Sequence, residues 1–299
     1  MRVVISSFLS RYWRFFRKPI HERSRVVSAR WARLFPNIPL PVRLPFGAWW
    51  LASNDYLGRV ILDGQFESAE FAFVSRFLRP GMTVLDVGAH HGFYTLLSSK
   101  RVGTEGRVIA FEPSARERGA LLKHLRINSC RNVRVEGLAL GNEEKDASLF
   151  VVEGCQTGCN SLRTPAHDVP GQFTPTPVHI VRLDDWLNIQ KITRVDFIKL
   201  DVEGGELEVL RGAKDLLERR PRPLILAELQ DVRAMAWGHQ AKDVAAFLRS
   251  LGFRWLKPTL GGCLTKFPDD QSEYDDNLVA VPAERMGEIV AFTECGTIS

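Results

Sequence analysis

The chain contains little cysteine and no long hydrophobic run. Its five cysteines, in 299 residues, are an odd number without a regular spacing, which indicates a reducing compartment rather than a disulfide framework. No segment approaches the roughly 18 apolar residues that a membrane-spanning helix needs. The apolar run within residues 1–11 has no small-residue cleavage site and is a weak signal peptide. We therefore expect a cytoplasmic protein.

Metal-ligand patterns are scarce as well. Cys155 and Cys159 lie four residues apart in a polar stretch, but a lone pair without a second one is a poor zinc site. Asp201 and Glu203 could hold a divalent ion, yet the sequence offers no further recognisable ligands beside them. We predict no metal site.

Charge of one sign is concentrated at the start of the chain. Residues 1–43 carry ten basic side chains and one acidic one, a net charge of +9, whereas the remainder has 30 basic and 34 acidic side chains. Aromatic residues of the same segment include Trp13, Phe15, Phe16 and Trp31. We favour an amphipathic helix packed on the core, with contact to an anionic membrane surface as the alternative. No recognition motif accompanies the charge, so we do not expect nucleic acid as a partner.

The order of sequence patterns divides the chain in two. Residues 1–60 contain the basic helix, a proline-punctuated run at 36–45 and a strand pair around 48–60. Residues 61–299 alternate between helical and strand patterns, which predicts a parallel sheet with crossover helices. A long interruption at 142–177 forms either part of an acceptor pocket or lid, or a mobile surface loop.

The most informative segment is 83–95, followed by 108–113. It predicts a strand, a glycine turn, a helix, and a second strand that ends in Phe111-Glu112-Pro113. A helix that begins at a glycine turn presents backbone N–H groups and a positive dipole end to an anionic group. The carboxylate of Glu112 suits a ribose diol, because an ionised carboxylate accepts both hydroxyl protons. A capping box at Ser114 and Glu117 predicts that the next helix begins at once.

The spacing of the glycines separates two classes of cofactor. Dinucleotide-binding turns have the pattern G-x-G-x-x-G, whereas this turn has Asp86-x-Gly88-x-x-x-Gly92 with His90 and His91 inside it. An acid at the turn repels phosphate and attracts an ammonium group, so S-adenosylmethionine fits better than NAD. The distance from Gly92 to Glu112 also matches the dinucleotide pattern, which keeps an NAD-dependent oxidoreductase as an alternative.

A second constellation lies at 195–206. Its apolar run, interrupted by Lys199 and ended by Asp201, predicts a central buried strand whose carboxyl end carries acids into a ligand crevice. A buried lysine needs a partner, which nearby acids or Glu228 on the predicted strand 223–229 would supply. Glu206 falls in the first turn of the following helix, and we favour a capping role for it.

These segments together resemble the FkbM family of S-adenosylmethionine-dependent methyltransferases. The resemblance rests on residues 84–95, 111–113, 132–141 and 196–204, and it covers roughly 60 to 260. The family usually has asparagine and an apolar residue where this chain has His90-His91. The resemblance implies a Rossmann-like class I methyltransferase fold with a mostly parallel, seven-stranded sheet and helices on both faces. It also implies O-methylation of a hydroxyl on a sugar or another polar metabolite, which makes the expected partner a small-molecule or glycan hydroxyl acceptor.

The resemblance assigns the cofactor to one group of residues. We expect Glu112 to hold the ribose, the backbone of the glycine turn to meet the carboxylate, and Asp86 to take the ammonium group or to order its neighbours. The placement of Ala139 near the adenine comes from the family alone. The predicted cofactor-binding residues are Asp86, Gly88, Ala89, His90, Gly92, Phe111, Glu112, Pro113 and Ala139.

The expected chemistry is displacement of the sulfonium methyl group by an acceptor oxygen, which needs alignment, exclusion of water and removal of a proton. The predicted catalytic residues are Asp201, His90, His91, Lys199 and Glu228. Asp201 is the favoured base, although each acid or histidine has the alternative of hydrogen-bonding a turn or pairing Lys199. A third hypothesis, a silent methyltransferase-like scaffold that docks on a membrane or an acidic partner, is disfavoured by the intact turn and Glu112.

Overall fold

The computed structural model describes most of the chain beyond its basic start. The described residues are 27, 30, 31, 33–35, 38–53, 55–154, 157–164 and 171–293. Contacts divide the chain into two compact units, Met1–Glu67 and Ser68–Ser299, and the domain boundary at residue 60 stays a sequence-based prediction. The basic helix expected within residues 1–43, and its membrane contact, lie almost wholly outside the described residues. No helix among the described residues has the length and apolar character needed to cross a bilayer.

The described residues of the first unit include a strand pair that is followed by a helix. Strand β1 (Leu40–Arg43) runs antiparallel to β2 (Trp49–Ala52), and helix α1 follows at Tyr56–Leu62. The pair was predicted later in the chain, around 48–60. The end of that range is helical instead, because Asp55 caps α1 by accepting a hydrogen bond of 2.7 Å from the N–H of Gly58.

The second unit alternates helices and strands, as predicted from its sequence pattern. Its helices are α2 (Ser68–Phe77), α3 (Phe93–Val102), α4 (Ala115–Ile127), α5 (Leu183–Ile189), α6 (Glu206–Arg211), α7 (Lys214–Glu218), α8 (Asp231–Ala234), α9 (Ala241–Ser250) and α10 (Val290–Thr293). Its strands are β3 (Thr83–Val87), β4 (Arg107–Phe111), β5 (Val133–Glu136), β6 (Ala139–Leu140), β7 (Lys145–Val152), β8 (Phe173–Val181), β9 (Phe197–Leu200), β10 (Leu224–Gln230), β11 (Phe253–Thr259), β12 (Cys263–Lys266) and β13 (Asp275–Pro282).

Within the described residues the main sheet has eight strands in the order β12-β11-β13-β10-β9-β3-β4-β5. The neighbours from β10 to β5 are parallel, and β13 runs antiparallel to both β10 and β11. The α/β fold with a mostly parallel sheet is therefore confirmed. The count exceeds the predicted seven because the short strand β12 pairs with β11 at the edge.

The central strands are mostly apolar because helices cover both faces of the sheet. All four residues of β9 are buried, and Leu85, Ile109 and Leu226 on neighbouring strands are fully buried. Parallel pairing brings the carboxyl ends of β10, β9, β3 and β4 to one edge, where the chain turns into the helices. This edge carries the predicted site.

The described part of the interruption at 142–177 includes the two paired strands of a β-hairpin. Strands β7 and β8 pair antiparallel over eight residue pairs, and β6 joins β8 to complete a three-stranded sheet. Alternate residues such as Leu149, Val151, Val178 and Ile180 form a small separate core. The proline-rich composition of β8 favoured a loop prediction, but β6 pairs only with its last residues, so the prolines lie where no ladder bond is lost.

A close backbone approach joins the first glycine turn to the end of β9. Gly88 has φ +83°, and a Cβ atom there would lie 1.7 Å from the carbonyl oxygen of Asp201. The N–H groups of Gly88 and Ala89 both donate to the carbonyl of Phe111 at 3.0 Å. Only glycine therefore allows β3 to turn between its two neighbouring strands at this distance.

The turn after β9 is held by a buried carboxyl group. Glu206 accepts hydrogen bonds from the N–H of Val202 at 3.0 Å and of Gly204 at 3.3 Å. Burial raises the pKa of Glu206 to about 7, against the opposing effect of these backbone bonds. Glu206, for which a capping role was predicted, thus stabilises the 201–205 turn through these hydrogen bonds.

Replacing Gly88 by alanine tests the close approach. We expect Gly88→Ala to lose at least about 3 kcal/mol of unfolding free energy in urea denaturation, because the rigid carbonyl of Asp201 cannot yield. Gly81→Ala is the matched control, since Gly81 has φ +85° but nothing within 4 Å of the added Cβ. The control should lose about 1 to 2 kcal/mol from its backbone conformation alone. Equal losses in the two variants would contradict the packing described here.

Replacing Glu206 by glutamine tests its protonation. Because the folded-state pKa lies above the ordinary value of 4.5, its contribution to stability is present at low pH and is lost as pH rises through about 7. Glu206→Gln should therefore flatten the fall in unfolding free energy between pH 5 and 8, by up to about 1.4 kcal/mol per pH unit. Glu208→Gln, at a partly exposed position paired with Arg211, should leave the slope unchanged. An unaltered slope in Glu206→Gln would mean that Glu206 is ionised throughout.

Candidate functional site

Acidic side chains from four parallel strands meet at the carboxyl edge of the sheet. Asp86 is the penultimate residue of β3, Glu112 follows β4, Asp201 follows β9, and Glu228 lies near the end of β10. Since these strands are direct neighbours in the sheet, the segments predicted separately from the sequence lie side by side.

Glu112 is buried and fixed through both of its oxygens. It is 5% exposed, and its Oε2 accepts from the N–H of His90 at 2.7 Å while its Oε1 accepts from the N–H of Ser114 at 2.8 Å. Burial raises its pKa to about 8, although the two backbone hydrogen bonds favour the charged form. The carboxyl group therefore lies directly beneath the glycine turn, with one further lone pair on each oxygen.

The predicted capping box at the start of α4 takes a different form. Ser114 is the N-cap residue, as expected, but its hydroxyl donates to the carboxylate of Glu117 instead of capping the helix. Glu117 is fully buried and accepts from Nε of Arg116 at 2.6 Å. The prediction was wrong about the bonds because the N–H of Ser114 is already engaged by Glu112.

Asp86 connects β3 to the helix that follows it. It is 2% exposed, and the hydroxyl of Thr95 on α3 donates to its Oδ2 at 2.5 Å. Asp86 was predicted either to bind the ammonium group of the cofactor or to order neighbouring residues. The contact with Thr95 agrees with the second role.

The two histidines lie inside the glycine turn. His90 has φ +49°, which is uncommon outside glycine, and its ring stacks on His91 with centroids 4.0 Å apart. The Nδ1 atom of His124 lies 2.8 Å from the carbonyl of His91. Donor atoms of His90, His91 and Glu117 lie within 4.8 Å of one another. Stacked imidazoles direct their in-plane lone pairs side by side rather than toward a common ion, so this trio is poorly arranged for a metal.

Lys199 is buried in the middle of the sheet and has the kind of partners that its burial requires. It is 3% exposed, and its Nζ lies 3.4 Å from Oδ2 of Asp201 and 3.2 Å from Oδ1 of Asn277. The same ammonium lies 5.3 Å from the centroid of the Tyr94 ring. The sequence singled out Asp201, but gave no signal for Asn277, which reaches Lys199 only because β13 inserts beside β10.

Three acids form what we call the acidic cluster: Asp201, Glu203 and Glu228. Their carboxylate oxygens lie within 4.8 Å of one another. Glu203 also pairs with Arg233, whose Nε lies 2.9 Å from its Oε2. Burial and the charges of its two neighbours raise the pKa of Glu228 well above its ordinary value, whereas Lys199 opposes the rise. The structure thus joins Asp201, Lys199 and Glu228, as the sequence suggested, and adds Glu203.

The 203–205 turn is held from two sides by residues that sequence reasoning missed. The carbonyl of Glu203, at φ +55°, accepts from Oγ of Ser161 at 3.1 Å and from Nε1 of Trp237 at 3.2 Å. The Trp237 ring covers Gly205, where an added Cβ would lie 2.8 Å away. Gly204 and Gly205, which follow an acid, are the sequence signal for this turn. Nothing in the sequence indicates that Trp237 covers it.

Part of the interruption assigned to an acceptor pocket therefore does reach the site. Residues 157–164 follow the hairpin strand β7 and contact the acidic turn through Ser161. Ala139 lies instead in β6, where it is buried and pairs with Ile180. Its predicted place near the adenine stays a prediction.

The cysteines are in mixed states. Cys130 and Cys159 are not disulfide-bonded, whereas Cys263 is, which the expectation of a reducing compartment did not include. Cys159 lies 3.7 Å from Nη2 of Arg233. Cys155, the other half of the weak zinc pattern, lies outside the described residues.

Comparison with known proteins agrees with this geometry. The pattern of the Methyltransferase FkbM domain matches residues 86–255. AMB antimetabolite synthetase AmbE of Pseudomonas aeruginosa is 27% identical over 59% of this chain and 10% of its own length. Methyltransferase 1 of Beauveria bassiana is 28% identical over 44% of this chain and 58% of its own length. The match thus spans less than two thirds of either relative.

One relative is matched over more of its length. The 31-O-demethyl-FK506 methyltransferase FkbM of Streptomyces tacrolimicus is 30% identical over 59% of this chain and 74% of its own length. The matched domain takes in both the glycine turn and the acidic cluster and covers more than half of the chain. The resemblance predicted from the sequence is confirmed, and the chain belongs to the FkbM family of S-adenosylmethionine-dependent methyltransferases.

Proposed function

We propose that this protein transfers the methyl group of S-adenosylmethionine to a hydroxyl on a sugar or another polar metabolite. The observation that carries the proposal is the buried carboxyl group of Glu112, held beneath a glycine turn that packs against Asp201. The name of the Streptomyces relative, which describes methylation of a 31-O-demethyl compound, supports oxygen as the methylated atom.

The residues of the glycine turn fit the cofactor. Both oxygens of Glu112 retain a lone pair for the two ribose hydroxyls. Helix α3 begins at Gly92 without a side-chain cap, so its positive end suits a carboxylate. When bound, the cofactor supplies a methyl group that its sulfonium charge has already activated.

The acceptor would lie against the acidic cluster. The 203–205 turn is flanked by Ser161 from the segment after β7 and by Trp237 from the segment after β10. Acids, an arginine and an aromatic ring are groups that bind a polyhydroxylated compound through hydrogen bonds and ring contact. The protein's tasks there are to orient one hydroxyl, exclude water and remove its proton.

An acceptor panel tests the proposed chemistry. We expect radiolabelled S-adenosylmethionine to transfer its methyl group to members of a panel of hexoses, methyl glycosides and polyols. Amino analogues of the same compounds form the matched set that separates O-methylation from N-methylation. Label found only on the amines, or on no compound while the cofactor still binds, would count against a hydroxyl acceptor.

The pH dependence of cofactor binding tests the role of Glu112. A carboxyl group with a pKa of about 8 must lose its proton before both oxygens can accept ribose hydroxyls. The dissociation constant for S-adenosylmethionine should therefore fall as pH rises from 6 to 8, by at most about tenfold per pH unit, and level off above pH 8.

Glu112→Gln provides the comparison for this titration. The variant should bind the cofactor more weakly and should retain only the titration of the ligand itself, measured by calorimetry. Glu218→Gln, an exposed acid of α7 paired with Lys214, is the control and should behave as the wild type. If the wild-type dissociation constant does not change between pH 6 and 8, Glu112 does not bind the ribose.

A further inference from the structure

Each member of the acidic cluster has a partner of a different kind. Asp201 lies 3.4 Å from the ammonium of Lys199, and Glu203 lies 2.9 Å from the guanidinium of Arg233. The carboxyl oxygens of Glu228 lie within 4.8 Å of those of Asp201 and Glu203, and its interaction with these acids raises its pKa. Two carboxyl groups can form a hydrogen bond only if one of them carries a proton, because ionised carboxylates are acceptors only.

The balance of charge gives the same result. The cluster contains three acids and two cations, Lys199 and Arg233, in a largely buried setting. A buried charge without a counter-charge is costly, and like charges a few ångströms apart do not both ionise readily. One proton retained on the Asp201 and Glu228 pair makes the cluster neutral.

The surroundings of Glu228 place that proton. Lys199 faces it from β9, Asp201 and Glu203 lie in the turn that follows, and the supporting acid Glu206 begins α6. Asn277 pairs with Glu228 in register on β13, and Arg233 approaches from α8 through Glu203. Burial and the negative charges of Asp201 and Glu203 favour protonated Glu228, whereas Lys199 opposes its protonation.

Asp201 is partly exposed, so an acceptor can reach its carboxyl group. Its side chain is 27% exposed, against 3% for Lys199 and 14% for Glu203. Its own carbonyl oxygen packs against Gly88 of the glycine turn, so Asp201 lies where the cofactor turn and the acidic turn meet. A group at this junction has both reactants beside it.

Resting on the proposed function, we propose that Asp201 and Glu228 share a single proton and that Asp201 takes up the hydroxyl proton of the acceptor. Asp201 is then a catalytic residue, and Glu228 is a positioning residue that acts through it.

The step is balanced in atoms and charge. The acceptor oxygen forms a bond to the methyl carbon as the bond from that carbon to sulfur breaks, and the bonding pair returns to sulfur as a lone pair. The acceptor proton passes to a carboxylate oxygen of Asp201. The positive charge of the sulfonium and the negative charge of Asp201 are both lost, and the pair then releases one proton to water.

Carboxyl carbon NMR of the full-length protein tests the shared proton without an acceptor. With glutamate and aspartate carboxyl carbons labelled, Glu228→Gln and Asp201→Asn assign the signals. We expect Glu228 to be protonated at pH 7 in the wild type. In Asp201→Asn its titration should move down by about one to three pH units, because the neighbouring negative charge is removed. Asp276→Asn, a β13 acid paired with Lys257, should leave the titration of Glu228 unchanged.

Two results would overturn the shared proton. One is ionisation of both acids at pH 7 in the wild type. The other is a titration of Glu228 that does not respond to Asp201→Asn. Addition of magnesium chloride is a further arm of the experiment. If magnesium moves Glu228 to its ionised signal at pH 7, the cluster holds an ion in place of the proton and the proposal fails.

Turnover with the acceptor panel tests the catalytic half. Asp201→Asn should lose at least about 100-fold in kcat, while its dissociation constant for S-adenosylmethionine stays within about threefold of the wild type. Glu228→Gln should keep more activity than Asp201→Asn and should lose the high-pH step of the rate profile. Wild-type turnover rates in Asp201→Asn would refute the role of Asp201. If the wild type binds the cofactor but methylates nothing, the acceptor class is at fault, and the NMR titration still decides the shared proton.

Discussion

The packing of Gly88 against the carbonyl of Asp201 is the contact on which the rest of the site depends. An added Cβ atom would lie 1.7 Å from that oxygen, so the turn after β3 and the turn after β9 are held as close as two backbones allow. The first turn carries the N–H groups around Glu112, and the second begins the acidic cluster. In the proposed function the methyl donor lies in the first turn and the acceptor lies against the second, and this packing holds the two at the short range that methyl transfer demands.

Buried acids with raised pKa values recur around these turns, and each has its own support. Burial raises the pKa of Glu112 to about 8 and that of Glu206 to about 7, and it raises that of Glu228 as well. Glu112 and Glu206 accept hydrogen bonds from backbone N–H groups and so stabilise turns. Glu228 instead lies among other acids in the acidic cluster. Perturbed acids of this kind are typical of functional sites.

The sequence predicted those parts of the structure that depend on local signals. A few neighbouring residues suffice to indicate each helix or strand, the glycine turn before α3 and the acid after β4. The family pattern over 86–255 confirms that these features belong to one domain. The parallel order of the strands then brings Asp201, Lys199 and Glu228 together, as the sequence suggested.

The parts that could not be predicted depend on contacts distant in the sequence. Asn277 reaches Lys199 from 78 residues away, and Trp237 covers a turn 34 residues before it. The β7–β8 hairpin was taken for a loop, because proline and threonine conceal the alternation that builds its small core. In each case the residue type is ordinary, and only the folded neighbourhood gives it a role.

The account is tested most directly by titrating the purified protein with S-adenosylmethionine and, separately, with NAD in a calorimeter. The glycine turn with its acid and histidines, together with the family to which the chain belongs, predicts a dissociation constant for S-adenosylmethionine in the micromolar range and no comparable heat with NAD. Preferential binding of NAD would contradict the account, because the site would then hold a diphosphate where Asp86 and the crowded turn exclude one.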